Sequence, residues 1–75
     1  MTNDIMNREP VPRLPPAAER RRLRELFGVT QTQLAESMGV DTRTVRRWEQ
    51  GMNPTGSNLI GYGKILAKWG EREAR

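Results

Sequence analysis

Seventy-five residues make one small domain with a modest core and no room for a second. Thirteen Lys and Arg against nine Asp and Glu leave a net charge of +4, which favours a polyanionic partner. With no cysteine and no histidine the chain has no disulfide and no soft or imidazole zinc ligand, so no metal is expected; its apolar runs of two or three residues are too short for a membrane span or signal-peptide core, which predicts a cytoplasmic protein.

Residues 1–16 carry Pro10, Pro12, Pro15 and Pro16 and no amphipathic period, so this stretch is expected to be an extended or disordered arm. Arg8 and Arg13 fit an arm that lies in a minor groove, but composition alone explains the stretch, and a leader that touches nothing is the simpler reading. Residues 17–70 are expected to form the folded domain and 71–75, which hold no large apolar residue, a frayed tail. Pro15 and Pro16 suit a helix entry, and Ala17 to Phe27 runs without a breaker to Gly28. Leu23, Leu26 and Phe27 are its expected buried stripe. Glu19, Arg20, Arg21, Arg22 and Glu25 are expected on a solvated face, with Arg21 and Glu25 at helical pair spacing.

Next come two short helices joined by a glycine turn, over Thr30 to Gly51. Thr30 and Gln33 form a capping box that starts a helix at Gln31. Leu34, Ala35 and Met38 recur on one face, and Gly39 follows directly, where a residue with positive φ ends a helix at little steric cost. Asp41 is the N-cap of the next helix. There Val45 and Trp48 point inward, while Arg43, Arg46, Arg47 and Gln50 stand at i, i+3, i+4 and i+7 on the opposite face, which is cationic and rich in donors.

Met52 to Gly56 reads as a loop, and Ser57 is expected to cap a last helix over about Asn58 to Trp69. Leu59, Tyr62, Ile65, Leu66 and Trp69 supply its apolar stripe. Gly61 and Gly63 interrupt it, each costing about 1 kcal/mol relative to alanine, and permit close approach of another helix. The fold class is therefore all-α, a small bundle of four to five short helices containing a helix-turn-helix.

Thr30, Gln31, Ala35, Gly39, Val40, Val45, Trp48, Glu49 and Gly51, at their fixed spacing, make the chain resemble the Xre or Cro/repressor type of DNA-binding domain. The match is tight from Val29 to Gly51 and looser outward to about Glu19 and Trp69. The resemblance implies a sequence-specific regulator of double-stranded DNA, of the phage repressor kind. It implies base contacts for Thr42, Arg43 and Arg47, since arginine offers two parallel donors to guanine O6 and N7 in the major groove. Arg46 stands where many relatives carry a small residue, and it either reads a base or bonds a phosphate. Gln31, at a helix N-terminus whose free amides favour an anion, is a phosphate candidate. Thr32, Thr44, Asn53, Thr55 and Ser57 are candidates of the same kind, although ordinary turn chemistry accounts equally well for Asn53, Thr55 and Ser57. The resemblance further implies an ion pair of Arg24 with Glu49, the latter turned toward the core, where a carboxylate needs a partner.

Catalysis is disfavoured: no histidine, cysteine or phosphate-cradling glycine loop is present, and no cofactor or small-molecule ligand is expected. The few aromatics fall on inward faces, unlike those of a single-strand reader. The rival from another class is a small adaptor or antitoxin-like partner protein that uses the surface of its last helix. One recognition helix covers few base pairs, which predicts a homodimer on DNA with half-sites about 10 base pairs apart. Leu59, Ile60 and Tyr62, flanking the glycines, are its expected contact surface.

Overall fold

The computed structural model describes residues 13–75. These form α1 (Ala17–Leu26), α2 (Gln31–Met38), α3 (Thr42–Trp48) and α4 (Gly56–Glu73), with no strand among them. Most of the arm expected over 1–16, including Arg8, lies outside the described residues. Its last part is anchored: Leu14 packs against the core and Pro15 is half-buried, leaving Arg13 exposed.

α1 starts at Pro16, whose carbonyl accepts the Glu19 and Arg20 amides, and Glu19 places a negative charge at the positive end of the helix. It closes before Gly28 at φ 70°, with the Val29 amide donating to Arg24 O at 3.1 Å. α2 begins with the capping box: Gln33 N donates to Thr30 Oγ1 at 3.0 Å and Thr30 N to Gln33 Oε1 at 2.9 Å. Gly39 at φ 71° ends it, and the Val40 amide reaches back to Ala35 O at 3.0 Å. Asp41 Oδ1 accepts from Thr44 N at 2.8 Å and so caps α3; this backbone hydrogen bond, followed by the one from the Thr44 hydroxyl, holds the carboxyl below its usual value.

The core is Leu23 of α1, Leu34 and Ala35 of α2, Val45 and Trp48 of α3, and Tyr62 and Leu66 of α4. Trp48 and Tyr62 pack with ring centroids 4.7 Å apart, and Phe27 stacks on Trp69 at 6.0 Å, joining the end of α1 to the end of α4. The Tyr62 hydroxyl is buried without a partner among the described residues, and burial pushes it up to about 12.

Four expectations need correction. Leu26 is 54 % exposed, because the buried stripe of α1 runs through positions 20, 23 and 24 toward Phe27, its half-buried C-cap, and Leu26 falls to one side of it. Arg20, assigned to the solvated face, belongs to that stripe and is buried. α4 begins at Gly56, where φ is 58°, so Ser57 lies inside its first turn and no side chain caps it. α4 then continues to Glu73 through residues expected to fray, because Arg22 donates to both Glu73 oxygens, Oε2 at 2.6 Å, while also holding Glu19. The Arg22 hydrogen bonds lower the pKa of both carboxylates.

Gly61 and Gly63, expected to admit another helix, face neighbours of the same chain. Gly63 is buried, and a Cβ on Gly61 would sit 3.6 Å from Met38 Cε of α2. Tyr62 is fully buried, so the contact surface expected for a second copy is not available as drawn; of its three apolar residues only Ile60 is exposed.

Candidate nucleic-acid interface

α2 and α3 are held at their crossing by the Gly39 turn, by the shared core of Leu34, Ala35, Val45 and Trp48, and by a hydrogen bond of 3.3 Å from Thr42 Oγ1 to Thr32 Oγ1. Burying Val45 and Trp48 on one side of a seven-residue helix turns Arg43, Arg46 and Arg47 to solvent on the other, whereas Gln50, expected on the same helical face, is exposed in the turn past the end of the helix. Thr42 is half-buried at the start of that face.

The inner side of α3 is fixed by Glu49. Arg24 donates to it through Nε at 2.6 Å and Nη2 at 3.0 Å, a bidentate bridge with both side chains more than nine-tenths buried. Arg24 Nη1 also donates to Val29 O at 2.7 Å, so one guanidinium ties α1, the α1–α2 turn and the end of α3 together. The Glu49 hydrogen bond raises the Arg24 pKa further above its already high ordinary value. Gln31 Nε2 donates to Glu49 Oε1 at 3.0 Å, which occupies one of its two amide hydrogens and leaves the other without a partner among the described residues.

The structure separates the three α3 arginines. Arg46 shares an open groove with Thr30, Gln31 and Gln50 at the start of α2, whereas Arg47 lies on the other flank beside Gln50 and Met52. Arg43 is exposed nearer the start of the helix. Thr32 and Thr44 are engaged locally, Thr32 with Thr42 and Thr44 with Asp41. Asn53, Thr55 and Ser57 are exposed in the α3–α4 connection and first turn of α4, and Asn53 Oδ1 accepts a hydrogen bond from Arg20.

Arg20 is the residue that sequence reasoning missed. Its Nη1 donates to Trp48 O at 2.9 Å, at the end of α3. The signal was present in the spacing, since Arg20 stands three before Leu23 and seven before Phe27; its charge outweighed its position.

A short helix that displays arginines, braced by a second helix across a glycine turn, is the architecture of a helix-turn-helix DNA-binding domain. The family model for helix-turn-helix proteins of the Xre/Cro type matches residues 21–67, more than half of the chain, and the chain belongs to that family. It is accordingly a DNA-binding helix-turn-helix regulator, from a family that is generally non-enzymatic. No curated protein and no solved structure matches it. Among the described residues no helix is long and apolar enough to cross a membrane.

Proposed function

We propose that the protein is a sequence-specific transcriptional regulator, of repressor type, that inserts α3 into the major groove of double-stranded DNA. One contrast carries this reading. Three of the four arginines of α1 are neutralised within the fold, Arg21 by Glu25, Arg22 by Glu19 and Glu73, and Arg24 by Glu49, and the fourth, Arg20, is buried. Arg43, Arg46 and Arg47 form no ion pair among the described residues, although they crowd one face of a seven-residue helix. Like charges left side by side and unpaired fit a polyanion that supplies the missing counter-charge.

Arg43 and Arg47 read base edges, with Thr42 beside them at the start of the helix. Arg46, sharing its groove with Gln31, bonds a phosphate and fixes the register, as does the second amide hydrogen of Gln31. Asn53, Thr55 and Ser57 meet the backbone from the other flank. The protein pairs on its site, because one short helix reads too few base pairs to discriminate against a genome.

The test is fluorescence anisotropy on a duplex selected from a randomised pool, repeated over a salt series. A steep fall of affinity with salt and a preference for the selected site over a scrambled one support the reading; the absence of duplex binding at low salt refutes it.

A further inference from the structure

Arg20 is 5 % exposed, yet no carboxylate of the described residues lies within ion-pair distance of it. Its guanidinium is given over to oxygens from three separate stretches. Nε donates to Pro15 O at 2.7 Å, Nη1 to Trp48 O at 2.9 Å and Met52 O at 3.3 Å, and Nη2 to Asn53 Oδ1 at 2.7 Å. Trp48 O lies at the negative end of α3, which offsets part of the cost of burying the cation. An apolar side chain of similar length would fill the same space without that cost, so stability alone does not call for arginine here. What a guanidinium adds is direction: a rigid fork of donors that fixes each acceptor it meets.

That direction reaches the surface through Asn53. Arginine carries donors only, so the amide oxygen of Asn53 must face it, and the Nδ2 group with its two N–H donors is turned away. Asn53 is exposed, and the residue before it is held at both its polar backbone groups: the Met52 amide donates to Arg47 O at 3.0 Å and the Met52 carbonyl accepts from Arg20 at 3.3 Å. A donor pair therefore stands at the end of α3, in an orientation set from inside the domain. A phosphodiester oxygen, which only accepts, is its chemical complement.

We propose that Arg20 is a positioning residue for DNA binding: it locks the α3–α4 loop and orients the Asn53 amide so that Nδ2 donates to a phosphate of the duplex. This rests on the duplex-reading function above, and adds to it the reason for a buried cation that the core does not need.

The probe is a labelled 30-base-pair duplex of random sequence, read by anisotropy at fixed low salt, beside urea unfolding of each variant. Asn53→Ala removes the donors without adding charge and weakens binding about tenfold, by the same factor on random and selected duplexes. Asn53→Asp keeps an acceptor for Arg20, so it unfolds at the same or higher urea than the parent, yet it binds the duplex more weakly than Asn53→Ala because acceptors now face the phosphate. The added carboxylate is repelled by any nearby duplex, so the Asp variant reports only that Asn53 stands close to the DNA; the donor role is read from the uncharged Asn53→Ala. Arg20→Met weakens binding as Asn53→Ala does, and combining the two adds nothing. Parental affinity in Asn53→Ala overturns the proposal, as does an Arg20→Met loss that is the same with and without the Asn53 amide. Should Arg20→Met fail to fold, Asn53→Ala decides by itself. If the parent binds no duplex, the DNA reading falls and this inference with it; if the parent binds and Asn53→Ala binds equally, only the inference falls.

Discussion

Cutting the bridge between Arg24 and Glu49 should come close to unfolding the protein. Arg24→Ala leaves Glu49, whose side chain is 3 % exposed, with Gln31 Nε2 as its remaining side-chain donor at 3.0 Å. Removing one partner of a buried pair costs about 3 to 5 kcal/mol, mostly through the charge left behind, and a domain of this size holds only on the order of 5 kcal/mol in total. Glu49→Ala should lose somewhat less, since Arg24 keeps Val29 O at 2.7 Å and the half-exposed Glu25 carboxylate at 3.9 Å. Each single change already destroys the pair, so the double change should cost little more than either, and the coupling should approach the cost of one single change, about 3 to 5 kcal/mol. Replacing both partners with apolar residues, Arg24→Met with Glu49→Leu, should return stability toward the parent. Urea unfolding followed by tryptophan fluorescence reads this directly, because Trp48 is buried against Tyr62. With a slope of about 1 kcal/mol per molar urea, the single changes should move the midpoint by about 3 to 5 M. Losses that simply add would mean that the two side chains act independently and that the bridge does not hold α3 to α1.

On a selected duplex, Arg43→Ala or Arg47→Ala should each cost about 1 to 3 kcal/mol and relax preference at one base position, whereas Gln31→Ala should weaken all duplexes alike; the reverse pattern in a binding-site selection would exchange their roles. Tyr62→Phe removes a buried hydroxyl that has no partner among the described residues and should leave the urea midpoint unchanged or raise it, by up to about 1 kcal/mol; a clear loss would show that the hydroxyl is satisfied. Glu19 and Glu73 are held below their ordinary 4.5 by Arg22 hydrogen bonds, so their contribution to stability is present above that value and is lost as pH falls through the lowered values. The thermal midpoint of the parent should therefore fall as the pH is taken below the ordinary 4.5, and Arg22→Ala should shrink that fall; an unchanged fall would assign it elsewhere. Footprinting on the selected site should show two half-sites related by two-fold symmetry and about 10 base pairs apart, and protection of one asymmetric half-site by a monomer would exclude pairing.

The sequence by itself determined the elements that rest on local rules. Thr30 with Gln33, Gly39 and Asp41 start and stop helices through bonds that span only a few residues, so α2, α3 and the turn between them are legible from spacing, and with Val45 and Trp48 facing inward the outward arginines follow. What the tertiary structure decided lies where a side chain meets residues far along the chain. Arg20 reads as a surface charge until the end of α3 and Asn53 arrive beside it, 28 and 33 residues away. The last turn of α4 has no apolar signal, and it is held by Arg22, 51 residues from Glu73. Gly61 and Tyr62 suggested a surface for a second copy, but α2 and Trp48 of the same chain take them up. Periodicity shows which face of a helix is apolar, but the neighbour that covers it, and the oxygens that neighbour brings to a buried cation, exist only once the chain has folded back on itself.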